Sequence, residues 1–222
     1  GLPAANPYLE GDITLLAPDE HMDSPVCIHD ENALCVWYKA DTEFASPKGH
    51  LFVQLSLPQS LGSCRQLAAT RLWVELFLDD INQQFYAATT AGLNYNLHVQ
   101  QHGLTLHSSG LSANQIALLQ DLLTEIGDLT FAEDRFVELQ FQLVRHWRGQ
   151  ISGKPISQLF SQLSSLLQPL NPETQQLAQL LEQSSFAQFN TFCQQIMQKV
   201  HVEALMLGNW HATDASLLEK ML

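Results

Sequence analysis

Positively charged residues are scarce in this sequence. Its 222 residues contain 10 lysines and arginines against 23 aspartates and glutamates, which gives a formal net charge of -13 at pH 7. A surface that binds nucleic acid needs clustered cations to neutralise phosphates, and the cations here are spread along the chain. We therefore expect no nucleic acid partner, and we interpret the acidic balance as a source of solubility.

Long apolar stretches are also missing. No run approaches the roughly 18 apolar residues of a membrane-spanning helix, and residues 1–12 lack the basic and apolar regions of a signal peptide. We therefore expect no membrane partner. The composition, 45% hydrophobic with 11 glycines and 9 prolines, instead indicates one folded domain with a sizeable core.

The cysteines form no Cys-x-x-Cys pair, which excludes a zinc ribbon and a thioredoxin-like motif. Cys27 and Cys35 flank the polar turn His29-Asp30-Glu31-Asn32, so a hairpin would place them at cross-strand distance. A disulfide between them would suit an oxidising compartment, whereas free buried cysteines are common in strands. The sequence leaves both alternatives open.

Motifs for nucleophilic catalysis and for phosphate binding are absent as well. The sequence has no Gly-x-Ser-x-Gly nucleophile elbow. Gly103, Gly110 and Gly127 lie too far apart to form a Gly-rich loop around a phosphate. Neither class of active site therefore has support in this chain.

Hydrophobic periodicity predicts strands first and mainly helices afterwards. Residues 51–57 alternate as in a strand, and Ser63 to Gln66 forms a capping box that opens a long helix. Strands over 93–101 and 104–109 are predicted to meet at a turn at His102-Gly103. The remaining predictions are helices starting near Ser112, Thr130, Pro155, Asn171 and Ser185, a final strand over 200–208 and a last helix over 212–221.

This order of elements predicts an α+β fold, in which helices pack on one face of an antiparallel sheet. Residues 1–24 are acidic and rich in proline, and we interpret them as an interdomain linker segment. A single α+β domain is then expected over residues 25–222.

The predicted hairpin would carry a polar face. With a turn at His102-Gly103, His98 and His107 would lie nearly opposite each other. Two histidines can begin a metal site, but catalytic zinc usually has three protein ligands, and this hairpin contains no Asp or Glu. A solvated polar face and a minor metal site are therefore the two alternatives. The candidate residues of this face are Asn94, Asn96, His98, Gln100 and His107.

A set of short motifs, taken in order, resembles a known family. The first two are Leu2-Pro3-x-x-Asn6-Pro7-Tyr8 and Trp37-Tyr38-Lys39-x-Asp41-x-x-Phe44-x-x-Pro47-Lys48. Further along come Leu78-Asp79-Asp80-Ile81-Asn82, Phe85-Tyr86, Ala91-Gly92-Leu93, Asp134-Arg135-Phe136 and Ala204-Leu205-x-x-Gly208-Asn209. Together they cover nearly the whole chain and resemble the second half of the pitrilysin/insulysin (insulinase) zinc metallopeptidases. The chain resembles the third, non-catalytic domain of that family.

Catalytic zinc in that family sits on a helical His-x-x-Glu-His motif, in which the glutamate activates the metal-bound water. The resemblance places Leu72-Trp73-Val74-Glu75-Leu76 at the corresponding point, with leucines at both histidine positions. We expect Glu75 to be neutralised by Arg71, one helical turn away. This chain is therefore predicted to contain no catalytic and no metal-binding residue, and the resemblance implies that zinc belongs to the parent enzyme.

The resemblance also implies a function. Peptidases of this kind have four similar α+β domains, whose two halves close like a clamshell around a chamber. The chain is then a non-catalytic domain of a zinc metalloendopeptidase, its partners are the remaining domains and peptide substrates, and its polar hairpin face contacts those peptides. The alternatives are a stand-alone peptide-binding or scaffold module related to inactive peptidase subunits, and a metal protein that uses the histidine hairpin. The family implies a periplasmic location if the protein is bacterial and a cytoplasmic one otherwise.

Overall fold

Six strands form a mixed sheet. The computed structural model describes residues 6–9, 11, 13–17, 20–57, 62–100, 103–128, 130–151, 172–196 and 198–222. The strands are β1 (Val26–Glu31), β2 (Leu34–Ala40), β3 (Lys48–Ser56), β4 (Asn94–Gln100), β5 (Gly103–Leu111) and β6 (His201–Gly208). Their order across the sheet is β1-β2-β6-β3-β5-β4, and every neighbouring pair is antiparallel except β2 and β6.

Helices cover one face of this sheet. They are α1 (Cys64–Gln84), α2 (Tyr86–Thr90), α3 (Ser112–Asp128), α4 (Glu133–Ile151), α5 (Thr174–Glu182), α6 (Phe186–Ile196) and α7 (Ala212–Met221). Helix α3 packs on β3 and β5, α1 on β4 and α7 on β2, while α4, α5 and α6 contact α1. The predicted α+β fold is confirmed, and the parallel β2–β6 pair is its departure from the expected antiparallel sheet.

The predicted helix start at Pro155 lies outside the described residues. Within the part of the chain that the structure describes, no helix is both long enough and apolar enough to cross a membrane.

Alternation along β3 separates the two faces of the sheet. Leu51 and Val53 are buried on the side of the helices. Phe52 and Gln54, which alternate with them along the strand, are half-exposed on the other side. Successive side chains of a strand point to opposite faces, so the buried pair joins the core beneath the helices. Helix α1 fills that core with side chains such as Phe77, which is completely buried.

Glycines allow the central strands to approach one another. Gly49 in β3 pairs with Gly110 in β5 on one side and with Gly208 in β6 on the other. The buried Trp210 packs at this point, and a Cβ added to Gly49 would lie 2.3 Å from the indole nitrogen. Gly208 has a φ of +119°, and a Cβ there would lie 2.8 Å from the carbonyl oxygen of Lys48. The packing of β6 against β3 therefore requires glycine at both positions.

A buried amide side chain in helix α3 forms hydrogen bonds with the backbone of the same glycine-containing strands. Gln115 donates from Nε2 to the carbonyl oxygens of Gly49, at 2.8 Å, and Gly110, at 3.0 Å. Its Oε1 accepts a hydrogen bond of 2.7 Å from the hydroxyl of Ser108. A buried amide with satisfied donors and acceptors fixes the helix against the sheet at little desolvation cost.

The N-terminal segment packs on the domain through Tyr8. This side chain is buried, and its hydroxyl donates to the Asp121 carboxylate at 2.7 Å. Burial and that carboxylate raise the pKa of Tyr8 well above its ordinary value. The carbonyl oxygen of Tyr8 accepts a 2.6 Å hydrogen bond from the Asn114 amide.

A second attachment follows β6 directly. The Asn209 side chain accepts from the backbone N–H of Leu16 and donates to the carbonyl oxygen of Thr14, both at 2.9 Å. The described residues before position 24 thus contact the same domain that they precede. The linker boundary at residue 24 stays a prediction.

We expect Gly49→Ala to destabilise the fold. The new methyl would collide with Trp210 and lie 2.9 Å from the Ser112 hydroxyl, and overpacking of this kind costs about 1 to 3 kcal/mol. Gly127→Ala in α3 is the matched control, because no heavy atom lies within 4 Å of its methyl and alanine favours a helix by about 0.5 to 1 kcal/mol. Urea unfolding measures both variants. Equal midpoints would contradict the role assigned to Gly49.

Candidate functional site

Helix α1 stands where the resemblance expects a metal-binding helix. Leu72 and Leu76 are 0% and 3% exposed and belong to the core, while Glu75 faces solvent. Zinc is bound by nitrogen, sulfur or oxygen ligands, which leucine does not supply. No group of three or more His, Cys, Asp or Glu that could hold a metal ion occurs among the described residues. The residues of α1 therefore do not fit a zinc ion.

The expected pairing of Glu75 with Arg71 is wrong, because the described ion pairs do not include it. The Arg71 guanidinium instead lies over the ring of Trp147 in α4, 5.9 Å from its centroid. Burial lowers the pKa of Arg71, and the electron-rich indole face compensates part of the lost hydration. Glu75 itself is exposed on α1.

The second candidate is the sheet face opposite the helices, which we call the open face. Strand pairing aligns one residue from each of five neighbouring strands across it, and their side chains are half-exposed or exposed. We call this line of residues the central row. It consists of Trp37 in β2, Leu205 in β6, Phe52 in β3, His107 in β5 and Asn96 in β4.

Aromatic rings stack in the middle of the central row. The ring centroids of Phe52 and His107 are 4.3 Å apart, and their planes differ by 4°. His50 joins them from the next position on this face of β3, with its Nδ1 3.1 Å from Nε2 of His107. At that distance one imidazole donates an N–H and the other accepts it. The stack and this hydrogen bond fix the position of both imidazoles.

The surroundings of His107 favour its neutral form. Burial is the main cause that lowers the pKa of His107, and the nearby charges of His50 and His98 lower it further. A neutral imidazole keeps one donor and one acceptor nitrogen. His107 can therefore both contact an apolar group through its ring and form hydrogen bonds at its edge.

The end of the central row at β2 is also held in place. The indole nitrogen of Trp37 donates to the Glu203 carboxylate in β6 at 3.0 Å. This bond crosses from one strand to the next and orients the indole on the open face. A ring held in this way loses little entropy when a ligand covers it.

All five residues predicted for the polar hairpin face lie on the open face. Asn94, Asn96, His98 and Gln100 are exposed on β4, and His107 is half-buried on β5. Their predicted contact with substrate is not tested by this placement. The described part of the chain adds the aromatic and apolar members of the central row, which the sequence analysis did not assign to a site.

The predicted register of the hairpin is wrong. His98 pairs with Thr105, and His107 pairs with Asn96, so the two histidines are diagonal neighbours. The cause is the pairing of Gln100 with Gly103, which shifts each expected partner by two residues, while residues 101–102 lie outside the described structure. The histidine that contacts His107 is His50 in β3, which the sequence analysis did not assign to a site.

A cavity on the helical side of the sheet offers little chemistry. It has a volume of about 430 Å³, and its lining includes Trp73, Phe131 and Cys193. Burial raises the pKa of the Cys193 thiol to about 12, so the thiol stays protonated at neutral pH and is a poor nucleophile. The open face is therefore the better candidate for a functional site.

Comparison with known proteins establishes the family. Residues 1–180 match the model described as the middle or third domain of peptidase M16. The chain belongs to the M16 peptidase family. The resemblance to the third domain of the pitrilysin/insulysin group, expected from the ordered motifs, is thereby confirmed.

Known proteins match most of this M16 chain. The A-factor-processing enzyme of Saccharomyces cerevisiae is 26% identical over 188 residues, which are 85% of this chain and 18% of that protein. Insulin-degrading enzyme of Homo sapiens is 25% identical over 209 residues, 94% of this chain and 20% of that protein. A crystal structure of pitrilysin matches with a TM-score of 0.88 at 22% identity, over 99% of this chain and 24% of that one.

The M16 chain therefore spans about a fifth of the length of the two enzymes and a quarter of pitrilysin. The similarity to pitrilysin shows that the fold is shared. The order of strands and helices described above is therefore an arrangement that pitrilysin also contains.

We expect the acid stability of the fold to depend on His107. Because the folded-state pKa of His107 lies below the usual 6.5, the folded chain binds fewer protons than the unfolded chain. The free energy of unfolding therefore falls as pH drops from about 6.5 towards the lowered pKa. His107→Phe keeps the ring stacked on Phe52 but removes the titration, so its stability should change less between pH 7 and pH 5. Urea midpoints across that range test this, and parallel curves for both proteins would contradict it.

Proposed function

We propose that this M16 chain is a non-catalytic domain of a zinc-dependent metalloendopeptidase, and that its open face contacts peptide substrates in a chamber formed with the other domains of the parent chain. The central row is the observation that carries the proposal. It leaves an indole, a phenyl ring and a leucine partly exposed side by side on one face of the sheet. Contiguous apolar surface of this kind is typical of an interaction site.

The dimensions of the open face suit an extended peptide. The central row crosses five adjacent strands spaced about 4.8 Å apart, so it is about 19 Å long. An extended peptide advances about 3.3 Å per residue, and about six residues would lie along the row. Trp37 and Phe52 would cover apolar side chains, while the exposed amide of Asn96 would bond to the peptide backbone.

Zinc and the hydrolytic step belong to another domain of the parent chain under this proposal. The leucines of α1 fill the core at the place where a catalytic M16 domain would bind metal. The chain's own contribution is then to bind and orient peptides, which lowers the entropy cost of the reaction elsewhere.

We expect Phe52→Ala to weaken substrate binding by the peptidase that contains this domain. Loss of a partly buried phenyl contact, worth about 1 kcal/mol, would raise KM about fivefold and leave kcat within about twofold. Steady-state hydrolysis of a peptide of at least six residues measures both constants.

Phe141→Ala is the matched control for that experiment. Phe141 is a phenylalanine that solvent reaches more freely than Phe52, at 65% exposure, and it lies on α4 on the helical side of the sheet. Its removal should leave KM unchanged. An equal rise of KM in both variants, or no rise in either, would contradict the assignment of the open face.

A minor metal site is one alternative function. The contact between His50 and His107 is the place where such a site can be tested. We expect the purified chain, after incubation with zinc and dialysis, to retain no stoichiometric metal and to hydrolyse no peptide, because two imidazoles lack a third protein ligand. Elemental analysis measures the retained zinc. One equivalent of zinc that disappears in a variant with His50→Ala and His107→Ala would favour the metal protein instead.

A stand-alone peptide-binding or scaffold module is the other alternative. It would account for the open face equally well if the chain acted without a catalytic domain. The complete open reading frame distinguishes the two, since the proposed peptidase requires a His-x-x-Glu-His motif in the same polypeptide.

A further inference from the structure

The first two strands bring a pair of cysteines together on the open face. The sulfur atoms of Cys27 in β1 and Cys35 in β2 are 3.8 Å apart, and both thiols are free. The two residues are not direct partners, because Cys27 pairs with Trp37 and Cys35 pairs with Asp30. Diagonal neighbours of this kind usually lie too far apart for a disulfide.

A bulge in β1 explains the short distance. The pairing shifts between Cys27 and His29, so one residue, Ile28, is inserted into β1 without a partner in β2. Such a bulge bends the strand and re-aims its side chains. The Cys27 thiol is turned towards the backbone of β1, where it donates to the His29 carbonyl oxygen at 3.2 Å, and it comes within contact of the Cys35 thiol.

We propose that Cys27 and Cys35 are a reversible oxidation site, at which a low-molecular-weight disulfide such as oxidised glutathione converts the two thiols to an intramolecular disulfide. The sulfurs need to approach by less than 2 Å to reach bonding distance, which is about 2.05 Å. A change of side-chain rotamers of that size leaves the strand pairing intact.

The environments of the two thiols set the order of the steps. Cys27 is half-exposed, whereas Cys35 is buried, and burial together with the Cys27 thiol raises the pKa of Cys35 to about 11. Cys27 therefore attacks first as its thiolate, bonds to one sulfur of the oxidant and releases the other as a thiolate. Cys35 then loses its proton to solvent, attacks the Cys27 sulfur and releases the second thiolate. Two protein thiols are oxidised, and one small disulfide is reduced to two thiols.

The other two cysteines are not placed for this reaction. Cys64 begins α1 and Cys193 lies in α6, and within the described ranges Cys27 and Cys35 are the only thiols in sulfur contact. The disulfide would join β1, which is the edge strand of the sheet formed by the described residues, to its neighbour β2. Oxidation is therefore expected to reduce local opening of the strand at this edge of the sheet.

The test uses the folded wild-type chain, equilibrated with oxidised glutathione and then alkylated. Trypsin cleaves after Lys39, the first lysine or arginine in the sequence, so one peptide carries both Cys27 and Cys35 and no other cysteine. We expect that peptide to lose two hydrogen masses and both alkyl labels, while the peptides with Cys64 and Cys193 stay labelled. Two alkyl labels, or two glutathione adducts, on the first peptide would overturn the proposal.

Two variants distinguish disulfide formation by Cys27 and Cys35 from the reaction of a single exposed thiol with glutathione. In Cys35→Ser, the first step still occurs but the second cannot, so Cys27 is expected to accumulate as a glutathione adduct. Cys64→Ser is the matched control and should give the wild-type disulfide. If Cys64→Ser abolished the bond, or if Cys35→Ser left Cys27 fully alkylated, the assigned pair and order would be wrong. Hydrogen exchange at β1 should slow on oxidation of the wild type and of Cys64→Ser, and it should not slow in Cys35→Ser.

Discussion

The contact of Trp210 with the backbone of Gly49 is the constraint on which the sheet depends. Strand β6 comes from the far end of the chain and lies between β2 and β3, so it must approach β3 closely. Glycines at 49 and 208 remove the side chains that would stand in the way, and Trp210 fills the space on the core side. Insertion of this one strand joins the early hairpin β1–β2 to the later strands, and without it neither face would be continuous.

The insertion of β6 also contributes side chains to both faces of the sheet. On the core side, Met206 and Ala204 of β6 are buried beneath the helices. On the other side, Leu205 completes the central row between Trp37 and Phe52. Helix α1 presents leucines such as Leu72 and Leu76 to the core and so contributes to stability. The central row stays partly exposed on the open face.

Patterns within short segments of the sequence predicted features that depend on neighbouring residues, such as strand faces and helix starts. Alternation in β3 and β4 placed Phe52 and Asn96 on the face away from the core, and the capping residue Ser63 marked the start of α1. Contacts between distant segments were not predictable in this way. The parallel pairing of β2 with β6 joins residues more than 160 positions apart, and the contact of His50 with His107 depends on which strand lies beside β3. The predicted hairpin register was wrong because Gly103, which was expected to lie in the turn, pairs with Gln100 in the sheet.

The attachment of the N-terminal segment has a mechanical consequence. Tyr8 forms two hydrogen bonds with residues of α3. Asn209, which directly follows β6, forms hydrogen bonds with the backbone of Thr14 and Leu16. The described residues between these points cannot rotate freely without breaking those bonds. A force applied to the chain at Tyr8 would therefore load its two hydrogen bonds to α3 before it reached the bonds of Asn209.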